Sequence, residues 1–359
     1  MGRDRNSLRG FKIFLLLFLA LSLFFLKEDN EKKIMAFIDS FVEREKVLKL
    51  KHAIKDIDGM ESVNFFDGNI IKWGNNKISC LNSDGSLILE KKFDFFDPAI
   101  YFGDKYAYVF DRATGDIYLF DSRGNTVDRL QLNKEIFNIK ESGENLIFHI
   151  KSPEMEIINI LDKDKVLIGN YIYEDKNILT YHTNEVGNKN LVALLNLNEG
   201  VLKSQLDIYG INNERLRTLD FEGEIALYLD FTQAEEVILL TDRYLYFINN
   251  EMIMWKKQFD LIKDIYLEKD KIYVLYSNYL ETIDFSGRTQ DKHRLIEEYE
   301  KILSFGDKIL LYGKSHLLII KDGKEILKFT ENIEKVFTSK DEILVLGQED
   351  MKIYQLSNK

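Results

Sequence analysis

The stretch IYLFDSRGN, residues 117–125, restricts the fold most, because it recurs. ISCLNSDGS from Ile78 and LETIDFSGR from Leu280 place Asp or Asn, and then Gly, at the same offsets. Looser copies are INILDKDKV from Ile158, VALLNLNEG from Val192, LYFINNEMI from Leu245, LLIIKDGKE from Leu317 and IYQLSNK from Ile353. A second apolar run precedes each of the eight copies: NIIKW, YAYVF, NLIFHI, NILTYH, EVILLT, KIYVLY, KILLY and EILVL. A third run stands before several of these, such as AIYF at Ala99 and DIYL at Asp264, and a more polar strand follows, such as LILEKKF at Leu87. Four short strands in a unit of about 40 residues is the period of a β-propeller blade. A sandwich has similar strand lengths but does not repeat one strand pattern eight times.

Eight hairpins predict an all-β propeller of eight blades, with seven as the alternative if the irregular fourth unit is misread. That unit is followed by a gap of 53 residues to the next copy, and YGINNERLRTLDFEG from Tyr209 reads as a long loop or an extended hairpin. The last copy ends at Lys359 without an outer strand. VLKLKHAI, residues 47–54, alternates just before the first blade strand, SVNFF from Ser62, and can supply the missing one. A ring closed by both termini leaves no unpaired strand inside the last blade.

The N-terminus differs from the rest. MGRDRNSLRGFK carries Arg3, Arg5, Arg9 and Lys12 against Asp4, and the uncharged run IFLLLFLALSLFFL follows. A basic head before an apolar run is an export signal with its head held in the cytoplasm. The run ends in Leu23-Phe24-Phe25-Leu26 without a small-residue cleavage site, so the expectation is an uncleaved anchor, with a cleaved signal peptide as the alternative. Residues 1–12 form the cytoplasmic tail, 13–26 the membrane span, 27–46 a juxtamembrane helix and 47–359 an extracytoplasmic propeller at the cell membrane. The helix is read from Ile34, Phe37, Ile38, Phe41 and Val42 at helical spacing.

Of the net charge of −11, the first 26 residues hold +3, which leaves −14 on the remainder. Nucleic acid is thus an unsuitable partner, since phosphate affinity comes from clustered Lys and Arg. Cys80 is the single cysteine, which excludes an intramolecular disulfide and a multi-cysteine metal site.

Motifs with chemistry are sparse. From Asp111, an EF-hand loop fails because Ala113 and Gly115 fall where ligands are needed. Thr114-Gly115-Asp116 is not a Walker sequence, and G-x-G-x-x-G and G-x-S-x-G are absent. Asp111 and Asp121 read as turn caps, and Gly115 and Gly124 as turn glycines. The turn from Asp111 to Asp116 stays open as a ligand-facing element. His52, His149, His182, His293 and His316 are too far apart in sequence to suggest a metal pair. HRLIEEYEK, with Glu297, Glu298 and Glu300, reads as a solvated outer strand or loop.

YAYVFDRATGDIYLF resembles the repeat of the PQQ-like, quinoprotein-alcohol-dehydrogenase-like propellers, with an aromatic-apolar-Asp-x-x-Thr-Gly turn. LNSDGS, FDSRGN and IDFSGR are similar to it, over residues 60–359. The resemblance implies a Trp late in each repeat that docks neighbouring blades; of Trp73 and Trp255, only Trp255 sits so. It also implies, for the enzymes, a calcium-bound quinone and a vicinal cysteine pair, which one Cys and no Asp/Glu/Asn cluster do not supply. The chain looks more like the non-catalytic, membrane-anchored members from Gram-positive anaerobes. The expectation is a non-enzymatic scaffold for a protein or envelope component, with no catalytic, cofactor or metal residues assigned. The alternatives are an extracytoplasmic sensor with a membrane partner and a quinone-dependent dehydrogenase.

Overall fold

The structure, a computed structural model, describes residues 46–55, 57–197 and 200–358. The expected tail, membrane span and juxtamembrane helix lie outside these residues, except for Lys46. Among the described residues no helix is long and apolar enough to cross a membrane. One compact unit is Leu48–Leu356; the other, Met1–Val47 with Ser357–Lys359, contributes to the described residues only the ends of two strands.

Among the described residues thirty-two strands form eight four-stranded sheets, each a set of neighbouring antiparallel strands. These are the eight blades of a propeller. Blades 1 to 7 span residues 62–92, 98–131, 138–174, 177–222, 226–258, 262–294 and 301–330. Blade 8 takes its first three strands from residues 335–358 and its outer strand from β1, Lys46–Ile54, in the order β1-β32-β31-β30. Both ends of the chain close the ring, as the alternation over residues 47–54 predicts.

The sequence pattern explains the layers. In every blade but the fourth the second and third strands are mostly apolar and largely buried, as in β7 (Ala107–Asp111), whose five residues are all buried. The outer strands alternate, as in β5 (Leu87–Lys92). Eight core clusters sit between adjacent blades rather than in one centre; Phe93, Trp73 and Phe120, for example, join blades 1 and 2.

The fourth blade corrects one assignment. NILTYH lies in β14 (Asn177–Thr183), the innermost strand, and VALLN lies in β15 (Asn190–Asn196), the second. The third strand is β16 (Lys203–Tyr209), and the residues read as extra form the turn and fourth strand, β17 (Arg215–Glu222). β16 places Ser204, Gln205 and Asp207 in the core, where the other third strands place mostly apolar residues, so its pattern hides it.

Candidate functional site

Strands alternate direction, so the connections fall on two faces. The turn face carries the links between first and second strands and between third and fourth strands. The loop face carries the links between second and third strands and the passages from blade to blade. β1 begins on the turn face.

The turn face closes on itself. In blades 1, 2, 3, 4 and 6 the link between third and fourth strands repeats one arrangement: the first residue's N–H donates to the fifth's C=O, and the fourth's N–H to the first's C=O. The fourth residue is left-handed in all five: Gly85, Gly124, Lys165, Asn213 and Gly287. At Gly124 a side chain is doubly barred, since φ is +80° and a Cβ would lie 2.8 Å from the Cβ of Cys80. Asp121 accepts from the N–H of Arg123 at 2.9 Å and of Asn125 at 2.8 Å. Asp162 and Asp284 do the same in blades 3 and 6.

The loop face is built differently. Its blade-to-blade passages hold large apolar side chains out in solvent: Phe96 is 89% exposed, Ile296 84%, Leu261 77% and Phe137 52%. Leu197 and Val201 add a fifth blade's contribution from the link between β15 and β16. The turn face exposes Val166, Val186 and Ile211, confined to blades 3 and 4. Those of the loop face stand singly on separate links around its rim, apart from Leu197 and Val201, which share one.

Asp111 positions one of these tips. Its carboxylate, 3% exposed, accepts from the backbone N–H of Phe96 and of Asp97 at 3.1 Å each, and of Ala113 at 3.0 Å. Burial alone would raise its pKa; these N–H groups outweigh it and hold the carboxyl below the usual range. The Arg112 N–H donates to Asp97 O at 2.8 Å and the Ile136 N–H to Arg112 O at 2.8 Å. The turn from Asp111 to Asp116 ties together the passages that carry Phe96 and Phe137.

A polar chain crosses the innermost strands of blades 3, 4 and 5. Lys140 donates to Tyr181 O at 2.9 Å and lies 3.0 Å from His182 Nδ1. His182 Nε2 lies 3.0 Å from Asp230 Oδ1, and the Tyr228 hydroxyl donates to Asp230 Oδ2 at 2.5 Å. A lysine donating to Nδ1 leaves the ring proton on Nε2, aimed at Asp230. Burial lowers the Lys140 pKa, and burial raises that of Tyr228. Asp230 is lowered: burial opposes this, and the His182 and Tyr228 hydrogen bonds overcome it. Ser142 also reaches His182, at 3.3 Å, but through the same Nε2 that faces Asp230, and its hydroxyl donates to Thr183 O at 2.7 Å. A nucleophilic triad needs the serine and the acid on opposite ring nitrogens, so this geometry serves to join blades.

The other singled-out residues are dispersed. His149 pairs with Glu156 at 3.0 Å inside blade 3, and His293 with Glu325 at 2.8 Å between blades 6 and 7. His316 contacts the Ser315 hydroxyl at 2.8 Å, and His52 lies on β1. Glu297, Glu298 and Glu300 lie in the loop after β25 (Thr289–Arg294), as read. Cys80 is fully buried, and burial pushes its thiol up to about 11. Among the described residues no three His, Cys, Asp or Glu side chains are placed to share a metal ion. Trp255 docks two blades, stacked on Phe247 at 5.5 Å and donating to Phe285 O at 2.9 Å. Sequence reasoning missed the exposed tips. Their signal is a pair of adjacent apolar residues flanked by charge between strands, as in DFFDP and HRLIEEY.

Fold and site define a β-propeller whose loop face carries apolar tips on five blades. The structure is similar to the C-terminal WD40 domain of Sif2, at 10% identity and a TM-score of 0.63, covering 88% of this chain and 99% of that one. It is likewise similar to Sqt1 of Saccharomyces cerevisiae, at 10% identity and 0.62, covering 86% and 99%. BamB from Moraxella catarrhalis matches at 11% identity and 0.55, covering 86% and 100%. At such identities the likeness is one of fold. No curated protein matches the sequence. The chain belongs to the family of unknown function DUF5711, whose model matches residues 44–356.

Proposed function

We propose that this protein is a non-catalytic scaffold, anchored in the cell membrane by residues 13–26 with the propeller outside the cytoplasm, that binds a protein through its loop face. The observation that carries the reading is the exposure of Phe96, Leu261 and Ile296 on separate blade-to-blade passages of that face. Side chains of this size in water cost about 1.5–3 kcal/mol each relative to burial, and a partner recovers that. The propeller is a frame on which variable loops take different partners, so the loops and not the fold carry the assignment. The basic head and apolar run support the anchor.

The test is crosslinking in intact cells followed by recovery of the full chain from membranes. A partner recovered with the wild type is expected to be lost with Phe96→Ser, Leu261→Ser and Ile296→Ser combined, while the melting temperature stays unchanged. Retention of the same partner by the triple variant sinks the loop-face reading. Recovery of the chain in the soluble cytoplasmic fraction sinks the anchor.

A further inference from the structure

The ring is closed by β1, and among the described residues no strand pairs with its outer edge. At nine residues it is the longest of the described strands, KVLKLKHAI, with three lysines, one histidine and no acid, in a chain of net charge −11. Among the described residues Lys49 makes no ion pair, and Lys51 meets Glu342 at 2.5 Å on the inner side. Leu50 is 54% exposed on this edge. The outer strand of the adjoining blade, β5, exposes Leu87 and Ile88 and ends in Lys91 and Lys92. A cavity of about 250 Å³ opens between them, lined by Ile54, Trp73, Leu81, Leu87, Lys72 and Glu90.

We propose that the β1 edge takes an extended acidic segment of a partner protein as a fifth strand on blade 8. Free backbone N–H and C=O groups of an edge strand supply the ladder, and alternate side chains supply the choice of partner. Acidic residues at alternate positions of the incoming strand meet Lys49 and its neighbours. Apolar residues between them cover Leu50, Leu87 and the mouth of the cavity. An added strand also clamps the closure, because it pairs with the single strand that joins the N-terminal segment to the ring.

The site is separate from the loop tips, and its test is independent of them. The full-length chain in detergent micelles is titrated with a fluorescein-labelled nine-residue peptide of alternating Glu and Val, and anisotropy and backbone hydrogen exchange are followed. Saturable binding is expected, with slowed exchange confined to β1. Lys49→Glu weakens it at least tenfold without moving the melting temperature, and so does replacing each Glu of the peptide by Lys. Binding survives the triple tip variant. Absence of saturable binding, equal affinity for Lys49→Glu, or equal affinity for the basic peptide overturns the proposal. Phosphatidylglycerol vesicles that slow β1 exchange where the peptide does not would overturn it in favour of a lipid surface.

Discussion

Asp121 on the turn face and Asp111 on the loop face support a chain reversal in opposite ways. On the turn face a side chain such as Asp121 satisfies the backbone within its own five residues. On the loop face the backbone is satisfied at a distance: Asp111 on β7 holds the N–H groups of Phe96 and Asp97, fourteen and more positions away. A turn that carries its own hydrogen bonds can be copied from blade to blade. A loop fixed by a remote carboxylate can differ in each blade while its ends stay fixed, and that freedom lets its tip side chain face solvent. The support is local at Asp121 and remote at Asp111.

The largest expected effect breaks the remote anchor. Asp111→Ala leaves two passage N–H groups without their acceptor and removes a buried, charge-assisted set of hydrogen bonds, which is worth about 3 kcal/mol. Urea denaturation at neutral pH should show that loss. Because the folded pKa of Asp111 is depressed, its contribution is present above the unfolded carboxylate value near 4 and disappears as pH falls through the lower folded value. Wild type and variant should therefore converge in acid. A gap that persists unchanged at low pH would show that the carboxylate charge is not what holds the passage.

A smaller effect belongs to the turn face. Asp121→Ala removes the acceptor for Arg123 and Asn125 but leaves the turn's own backbone hydrogen bonds in place. The cost is about 1 kcal/mol, and water can replace the lost acceptor at this exposed site. A loss as large as that of Asp111→Ala would erase the distinction between local and remote anchoring. Hydrogen exchange of the Phe96 and Asp97 amides separates the two further: it should accelerate in the Asp111 variant and not in the Asp121 variant.

The same distinction explains what could be read from the sequence. The Asp-x-x-Gly turns of the turn face announce themselves because each repeat carries its own hydrogen-bonding set, and with the apolar runs they indicate eight blades. Lys165 and Asn213 adopt the conformation that Gly takes elsewhere, so their turns look degenerate in sequence though their geometry is the same. Blade 4 was misregistered because Asp207 is buried with Gln205 and Thr218 on its carboxylate, which breaks the apolar signature of a third strand. The role of Asp111 was not legible, since the groups it binds lie on the preceding passage. The tips were not legible either, because an apolar residue between strands reads equally as core or surface until the neighbouring blade is in place.

The smallest change in stability is expected where the functional effect is largest. Phe96, Leu261 and Ile296 are each more than three-quarters exposed and lose almost no packing when replaced by Ser. Each substitution should shift stability by no more than about 0.5 kcal/mol. Solubility of the purified chain should rise, because the replaced side chains are those that favour self-association in water. The informative quantity is the ratio of the two effects. On the turn face, Asp121→Ala lowers stability and leaves partner recovery intact; on the loop face, the tip variants leave stability intact and abolish recovery. If the tips were packing against residues of their own chain, replacing all three would lower the melting temperature by several degrees, and the assignment of recognition to that face would fail.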